Sequence, residues 1–594
     1  MGTAAGDGSR NIRFEPPERA PLPVALGLGL QVAITPLFVA IMIPTIAFRA
    51  AGSDDGLVSW VVFVSVLLCG LTAALQAVRF GRIGAGYLIA PAISAAGIAV
   101  TTDALRSGGP ALLATLVLSA AVLQVLFSAR LSWLRRILTP AVSSTVVLLL
   151  VVNVMPVVFS MLDDVPEGSP PAGAPLAALS TVFVISAIAL KASGAWRLWA
   201  PIVGVIAGSL VAAAFGIYDG TRVAEAAWIA VSAPRWPGLD LDFGPEFWGL
   251  LPAFAFVTLV TTMQSISGSL AIQNVSWRRR RAVDFRSVQN TVTTSGLGNS
   301  LAALGGGMPL STLSTGASLA ELTGVASRTV GIALGIWLAG FAFVPKALAL
   351  IISVPGPVLA AYIGVLLAIL FALGLKVLLN DGFDHRTGLV VGLSFWTGLG
   401  FQYDLIFPDL VRDFAGGLLT NGMTAGGIMA VLLTGFALLT APRARRLRTD
   451  LDLAAAPRIR DFLTEFSTRS GFGKAMADRL DPVCEETLLT LLAPDGSADR
   501  KTGRGLVVTA RRKGSGLALE FVAAAGSENV EDRVALLGEH VDEVSAEREV
   551  SLRLLRHLSS SLRHQQYHDT DIVTLQVDAP RSDAATGGTS APKT

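Results

Sequence analysis

From residue 22 to about residue 441 the chain alternates long apolar runs with short polar connections. Each run is close to the roughly 20 residues a helix needs to cross hydrocarbon, so the pattern predicts spanning helices in series. Fourteen runs fit. The first seven lie near 22–48, 57–79, 83–104, 110–129, 138–161, 174–192 and 197–217. A connection rich in Trp, Pro and Asp follows, and seven more lie near 246–274, 286–307, 308–326, 329–353, 355–379, 387–408 and 420–441. Residues 1–20 are polar, with Asp7, Arg10, Arg13 and Glu15, and read as a cytosolic tail rather than a signal peptide or an anchor.

Two runs depart from a continuous helix, and each is third in its group of seven. Gly84-Ala85-Gly86-Tyr87-Leu88-Ile89-Ala90-Pro91 is a glycine-bounded run of β type, and a helical pattern begins only at Pro91. Gly305-Gly306-Gly307-Met308-Pro309-Leu310-Ser311-Thr312 opens the tenth run, which turns helical near Ser314. Proline suits the first turn of a helix, while extended backbone at membrane depth persists only where protein or a wet cavity surrounds it. A matched pair of interrupted spans predicts an inverted repeat, 21–217 and 245–442, with a binding site between two half-helix amino ends.

After Arg448 the pattern changes, and a cytosolic α/β domain is expected over 450–578. Helical periodicity near 456–470 and 473–492 precedes strand-like runs at 505–510 and 517–522; helices near 529–540 and 546–564 and a strand at 572–577 complete it. That order resembles the ATPase domains of histidine kinases and anti-sigma factors, with Glu485 or Glu486 near their acidic helix position. The Asn expected later on that helix is missing, and Ala523-Ala524-Ala525-Gly526 stands where an Asp-x-Gly belongs. ATP hydrolysis is therefore not expected, and the domain reads as a regulatory or assembly module. Residues 579–594, rich in Ser, Thr, Gly, Ala and Pro, are expected to be disordered.

Charge orients the spans, because connections left in the cytoplasm hold the Lys and Arg. With the amino terminus inside, the inner connections receive Arg79 and Arg82; Arg130, Arg135 and Arg136; Lys191 and Arg197; Arg278 to Arg281 and Arg286; Arg328; Lys376 and Arg386; and Arg443 to Arg448. The outer ones collect Asp54, Asp55, Asp103, Asp163, Asp164, Glu167, Asp219, Asp240 and Asp242. Every second connection is basic, which places both termini in the cytoplasm of a multi-pass protein of the plasma or inner membrane. Composition agrees: 52% of the 594 residues are hydrophobic and only 15% charged, against roughly a quarter charged in soluble chains.

Two cysteines, Cys69 and Cys484, form neither a disulfide framework nor a metal cluster. All five histidines, His385, His540, His557, His564 and His568, fall outside the long apolar runs, which excludes an intramembrane histidine relay. The last three read as solvated residues of a charged helix and the loop after it. No metal site, cofactor, nucleic-acid partner or enzymatic activity is implied.

Leu30-Gln31 in span one, Pro140-Ala141-Val142-Ser143-Ser144-Thr145-Val146-Val147 in span five, Thr261-Thr262-Met263-Gln264-Ser265-Ile266 in span eight and Leu322-Thr323-Gly324-Val325-Ala326-Ser327-Arg328 closing span ten resemble the nucleobase–ascorbate transporters, also called xanthine/uracil permeases. The resemblance covers roughly residues 20–440. It implies an all-α polytopic membrane protein, a seven-plus-seven inverted repeat whose core domain moves against a gate domain, often as a homodimer, with the substrate held between spans three, eight and ten. It also implies coupling to a proton or sodium ion.

Carried over position by position, the resemblance places the substrate at Ala92, Gln264, Ser265, Gly268, Ser314, Thr315, Gly316 and Ser318. Several of these depart from the family's pattern. Val32 stands where members carry a His, Gln264 where they carry Glu, and Gly268 where an Asp or His is expected. Thr315, Gly316 and Ser318 fall on the fixed positions of the span-ten signature, and Ala92 on the aromatic platform position of span three.

The hydroxyls and amides of that set can hydrogen-bond a polar solute, each bond contributing about 1 kcal/mol net, but none of them can take up a proton. Glu321 and Lys346 are the ionisable residues deepest in the predicted spans. Glu321 is the candidate coupling residue, although six residues at about 100° each place it roughly 240° around the helix from Thr315; Lys346 reads as a snorkelling anchor. Each half-helix amino end carries about half a positive charge, and without an acid to balance it an anion is welcome there. Three readings stay open. They are a nucleobase permease working by alternating access, an anion carrier of the sulfate-permease type with the same fold, and a substrate sensor signalling through 450–578.

Overall fold

The computed structural model describes residues 12–129, 131, 139–166, 168–192, 196–279, 281–380, 385–408, 421–440, 444–472, 474–492, 505–513, 516–524, 559–568 and 570–578. The chain divides into two compact units. The first comprises Met1–Arg278 and Ser287–Leu439, the second Arg279–Arg286 and Thr440–Thr594.

The first unit is helical: α1 (Leu22–Ala50), α2 (Asp55–Ala77), α3 (Ile98–Ala129), α4 (Pro140–Ser160), α5 (Gly173–Lys191), α6 (Trp196–Ala214), the single turn α7 (Thr221–Glu225), α8 (Pro245–Val275), α9 (Phe285–Leu304), α10 (Thr315–Thr323), α11 (Arg328–Ala342), α12 (Pro345–Ile352), α13 (Gly356–Asn380), α14 (His385–Gln402) and α15 (Gly422–Thr440). Two four-residue strands interrupt them, β1 (Ala90–Ile93) and β2 (Leu310–Leu313). Among the described residues seven helices are long and apolar enough to cross a membrane, or eight if α11 and α12, bent by 81° at their junction, are one span. This is a polytopic helical membrane protein. Each of the fourteen apolar runs coincides with a helix or a strand–helix unit. Runs three and four are continuous as α3, which breaks at Gly109 (φ 74°) ahead of Pro110. Asp103, assigned above to an outer connection, lies inside α3 before that break.

The helices sort into two groups by what they pack on. Helix α11 lies along α2 and α1, α3 along α8, and both strands touch α1 or α8. In the other group α13 packs on α4, α5 and α6, α14 on α4, and α5 on α6. Among the described residues the groups meet through α4 with α8, α1 with α6 and α3 with α4. Small residues allow the close crossings inside a group: a Cβ on Gly70 would stand 2.5 Å from the Ala339 backbone nitrogen of α11.

The second unit carries an antiparallel sheet in the order β3-β4-β5-β7-β6, built from β3 (Arg445–Asp450), β4 (Gly505–Lys513), β5 (Gly516–Ala524), β6 (Ser561–Gln566) and β7 (Thr570–Asp578). Helices α16 (Ala456–Arg469) and α17 (Lys474–Leu492) cover it, Ile459, Leu463, Val483 and Leu488 packing with Leu519, Phe521 and Leu575 of the sheet.

Arg445–Asp450, the basic stretch after the last span, forms strand β3, which the sequence reading did not anticipate; Ser561–Gln566 is strand β6 and corrects the helix expected to run to residue 564. Both are edge strands, whose polar sequences hide them from an apolar alternation pattern. His564, expected on a solvated face, is buried on β6. Burial pushes its imidazole down to about 4, against the opposing pull of Asp571 and with the help of Arg286. The expected helix near 529–540, most of that near 546–564, the tail 579–594, His540 and His557 lie outside the described residues.

Candidate functional site

The two interrupted spans meet. Strands β1 and β2 pair antiparallel, with Ala90 opposite Leu313, Pro91 opposite Thr312, Ala92 opposite Ser311 and Ile93 opposite Leu310. The Ser94 N–H continues the ladder to the Pro309 carbonyl at 2.9 Å. A helical start follows each strand, the turn Ala95–Gly97 leading into α3 and Thr315 opening α10.

Backbone polar groups freed by breaking a span must find partners inside the protein. Helix α9 supplies many of them, and its buried polar side chains exclude it from the apolar spans. Asn299 Oδ1 accepts the Leu310 N–H at 2.6 Å while its Nδ2 donates to Gln124 Oε1 at 2.7 Å. Asn290 Nδ2 donates to the Gly81 and Gly84 carbonyls, and Thr294 Oγ1 accepts the Gly84 N–H at 2.8 Å. The Gln76 carbonyl on α2 takes the N–H groups of Ala85 and Gly86.

Gln264 stands beside this crossing. Its Oε1 accepts from Ser94 Oγ at 3.4 Å, and its backbone carbonyl accepts from Thr312 Oγ1 at 2.9 Å, so one residue of α8 touches both broken spans. Ser94 was not singled out from the sequence, where it falls in the stretch after Pro91 expected to be helical; it directly follows β1. Gly268, one turn on, lies under the same threonine: a Cβ there would come within 2.5 Å of Thr312 Oγ1, so any side chain at 268 requires that threonine to shift. Ser265 faces α9, donating to Ser295 Oγ at 3.4 Å, and Ala92 is fully buried in the strand pair.

On α10, Gly316 is set by contact: a Cβ would lie 2.4 Å from the Leu88 carbonyl oxygen of the first broken span. Ser314 is exposed, and its carbonyl accepts from Ser318 Oγ at 3.3 Å. Glu321 is exposed on the same half-helix. Lys346, the other deep charge, lies over the Trp228 ring at 4.8 Å.

Thr315 is the residue that opens onto free space. It lines a narrow cleft with Leu319, with Gln31, Val32, Ile34 and Thr35 of α1, and with Trp199 and Ile202 of α6. Its Oγ1 is buried and has no hydrogen-bond partner among the described residues. A buried hydroxyl without a partner costs about 1–3 kcal/mol, a penalty that a polar solute or a water removes. The cleft lies on the boundary between the two helix groups, since α1 belongs to one, with α10 packed on α1 and α8, and α6 to the other. Its volume is about 20 Å³, room for a water and not for a ring. No lining residue is ionisable. Gln31, Thr35 and Trp199 complete this lining; of these only Gln31 drew notice in the sequence, as part of the Leu-Gln pair.

The family model Xan_ur_permease, described as a permease family, matches residues 24–405. The xanthine permease XanP of Escherichia coli (strain K12) is 25% identical over 433 residues, covering 70% of this chain and 92% of that protein. The uric acid permease PucK of Bacillus subtilis (strain 168) is 26% identical over 435 residues, covering 71% and 97%. Among solved structures, that of the murine Solute Carrier 26 family member A9 anion transporter in the inward-facing state overlaps 73% of this chain and 72% of that one at 14% identity and a TM-score of 0.48, too loosely to decide anything about the solute.

Proposed function

Since the chain belongs to the xanthine/uracil permease family, we propose that it is a secondary-active permease for a purine-like or pyrimidine-like solute, bound between the broken spans and the α1–α6 cleft. The names of the relatives, xanthine and uric acid permeases, support that solute class. The observation that carries the site is the unpartnered Thr315 hydroxyl on the cleft between the two helix groups.

A planar heterocycle carries donors and acceptors on its edge, which the hydroxyls of Thr315 and Thr35 and the amides of Gln31 and Gln264 can read with either polarity. The cleft is too small for it as it stands, so α6 must part from α1 and α10 to admit one. Such parting of one helix group from the other is what alternating access requires. With no ionisable group in the lining, proton coupling has to act outside the cleft, and Glu321 remains a candidate for it; a sodium ion would need only neutral oxygens.

The full reading is fourteen spans in two inverted repeats, both termini cytoplasmic, in a homodimer. The spans and orientation are supported by the agreement of the fourteen apolar runs with the helices and strand–helix units and by the alternation of basic connections; the homodimer rests on the family resemblance alone.

Uptake of radiolabelled xanthine, urate and uracil into proteoliposomes of the full chain tests the proposal. Saturable uptake of at least one, abolished by Thr315→Leu in protein that still inserts, is the expected outcome. No saturable flux for any of the three overturns it, and chloride or sulfate flux in their place would favour the anion carrier.

A further inference from the structure

Ahead of α1, residues 12–20 cross one end of the first unit and bind the chain immediately after two helices of the candidate site. Arg278, three residues past α8, is the centre of the crossing. Its Nη1 and Nη2 donate to Glu18 Oε1 and Oε2, both at 2.7 Å, as a two-pronged pair. Its Nε donates to the Ile12 carbonyl at 3.0 Å and Nη2 also to the Arg13 carbonyl at 2.8 Å. The Arg278 backbone N–H meets Glu15 Oε1 at 3.0 Å. The same segment grips the end of α10. The Gly324 carbonyl, where the chain leaves α10 at φ 70°, accepts from the Arg13 and Phe14 N–H groups at 2.7 and 3.2 Å. The Ala326 and Arg328 N–H groups donate to the Phe14 and Pro16 carbonyls, and Ser327 Oγ donates to the Glu18 carbonyl.

Three site helices therefore converge on one knot. Residue 20 leads into α1, which carries Gln31 and Val32; Arg278 ends the segment that carries Gln264; and Gly324 caps the half-helix that carries Thr315. Helix α10 has only nine residues, so little of its own hydrogen bonding fixes its direction, and its two ends decide where Thr315 points. One end is set by the strand pair and the Leu88 carbonyl, the other by residues 12–16.

We propose that Arg278 is a positioning residue for solute binding, acting through the N-terminal segment it holds with Glu18. The planar guanidinium spends four donor contacts on carboxylate and main-chain oxygens in one fixed geometry, which a lysine cannot reproduce. The inference rests on the transport reading above.

The test measures KM and maximal rate of uptake for wild type, Arg278→Ala, Arg278→Lys and Glu18→Gln in full-length protein. Thermal melting of the same preparations controls for folding. A site that is assembled less often binds more weakly, so Arg278→Ala should raise KM about tenfold with the maximal rate largely kept, and the two conservative variants should fall in between. A purely structural role would lower the amount of active protein and the maximal rate while leaving KM alone. Wild-type KM in Arg278→Ala overturns the proposal. If the wild type carries none of the solutes, the transport reading fails on its own account. Hydrogen exchange at 315–326 then decides the clamp: faster exchange in Arg278→Ala upholds it, and unchanged exchange overturns it.

Discussion

At the scale of single residues, contact distance separates positions that touch a solute from those that hold the frame. Gly316 belongs to the frame. Its would-be Cβ meets a backbone carbonyl that has no rotamer with which to move aside, so Gly316→Ala should cost roughly 1–3 kcal/mol and displace Thr315 as well. The expected result is a lowered melting temperature with uptake reduced about tenfold or more, since reacting or binding groups tolerate little misplacement. Gln264→Glu tests the chemistry rather than the frame. A carboxylate there still accepts from Ser94, so the geometry is kept while a titratable group enters between the two helical starts. Uptake should become dependent on pH across the acid-to-neutral range; a flat profile equal to wild type would mean that Gln264 lies off the path. The sequence put Gln264, Gly268, Thr315 and Gly316 in one neighbourhood, because motif spacing survives divergence. It could not give their facing: that Gly268 lies under Thr312, or that Ser265 turns to α9, depends on which neighbour comes close.

At the scale of elements, the glycines and prolines at 84–91 and 305–312 made both breaks legible, since they mark where a helix cannot continue. That β1 pairs with β2 was not legible, because register across two hundred residues has no local signal. Nor was the role of α9 in holding them. Its Gln289, Asn290, Thr291, Thr294, Ser295 and Asn299 are buried, a composition that in sequence looks like a poor span. Its purpose follows from the accounting of freed backbone groups. Asn299 is the sharpest case, serving the Leu310 N–H and Gln124 at once. Asn299→Leu leaves both without this partner in a dry interior, and the expected loss is about 2–4 kcal/mol, one to two buried groups at about 1–3 kcal/mol each. Thermal melting in detergent checks it. A variant that melts like wild type would mean that the strand pair does not need the bond.

At the scale of the whole molecule, fourteen apolar runs were legible, while among the described residues seven or eight helices are long and apolar enough to span. Runs three and four share the one helix α3, β2 cuts the tenth run short, α9 is polar, and α6, α14 and α15 also fall outside that set. A span that is broken or polar loses the pattern by which spans are recognised, and in the second unit the edge strands β3 and β6 avoid the apolar alternation that would invite pairing with another chain. One consequence of that sheet can be measured. His564 is buried on β6 with its ionisation held down to about 4, against about 6.5 in an unfolded chain. The unfolded state therefore takes up a proton first as pH falls. The stability linked to this group is complete above about pH 6.5 and is lost progressively toward about pH 4, up to roughly 3 kcal/mol in all. Hydrogen exchange at 561–566 and 570–578 in the full chain, corrected for the intrinsic rate, should rise as pH falls through that window. In His564→Gln the same exchange should lose most of its pH dependence. Equal acid sensitivity in both proteins would mean that Asp571 or another carboxylate, rather than the buried imidazole, controls the sheet.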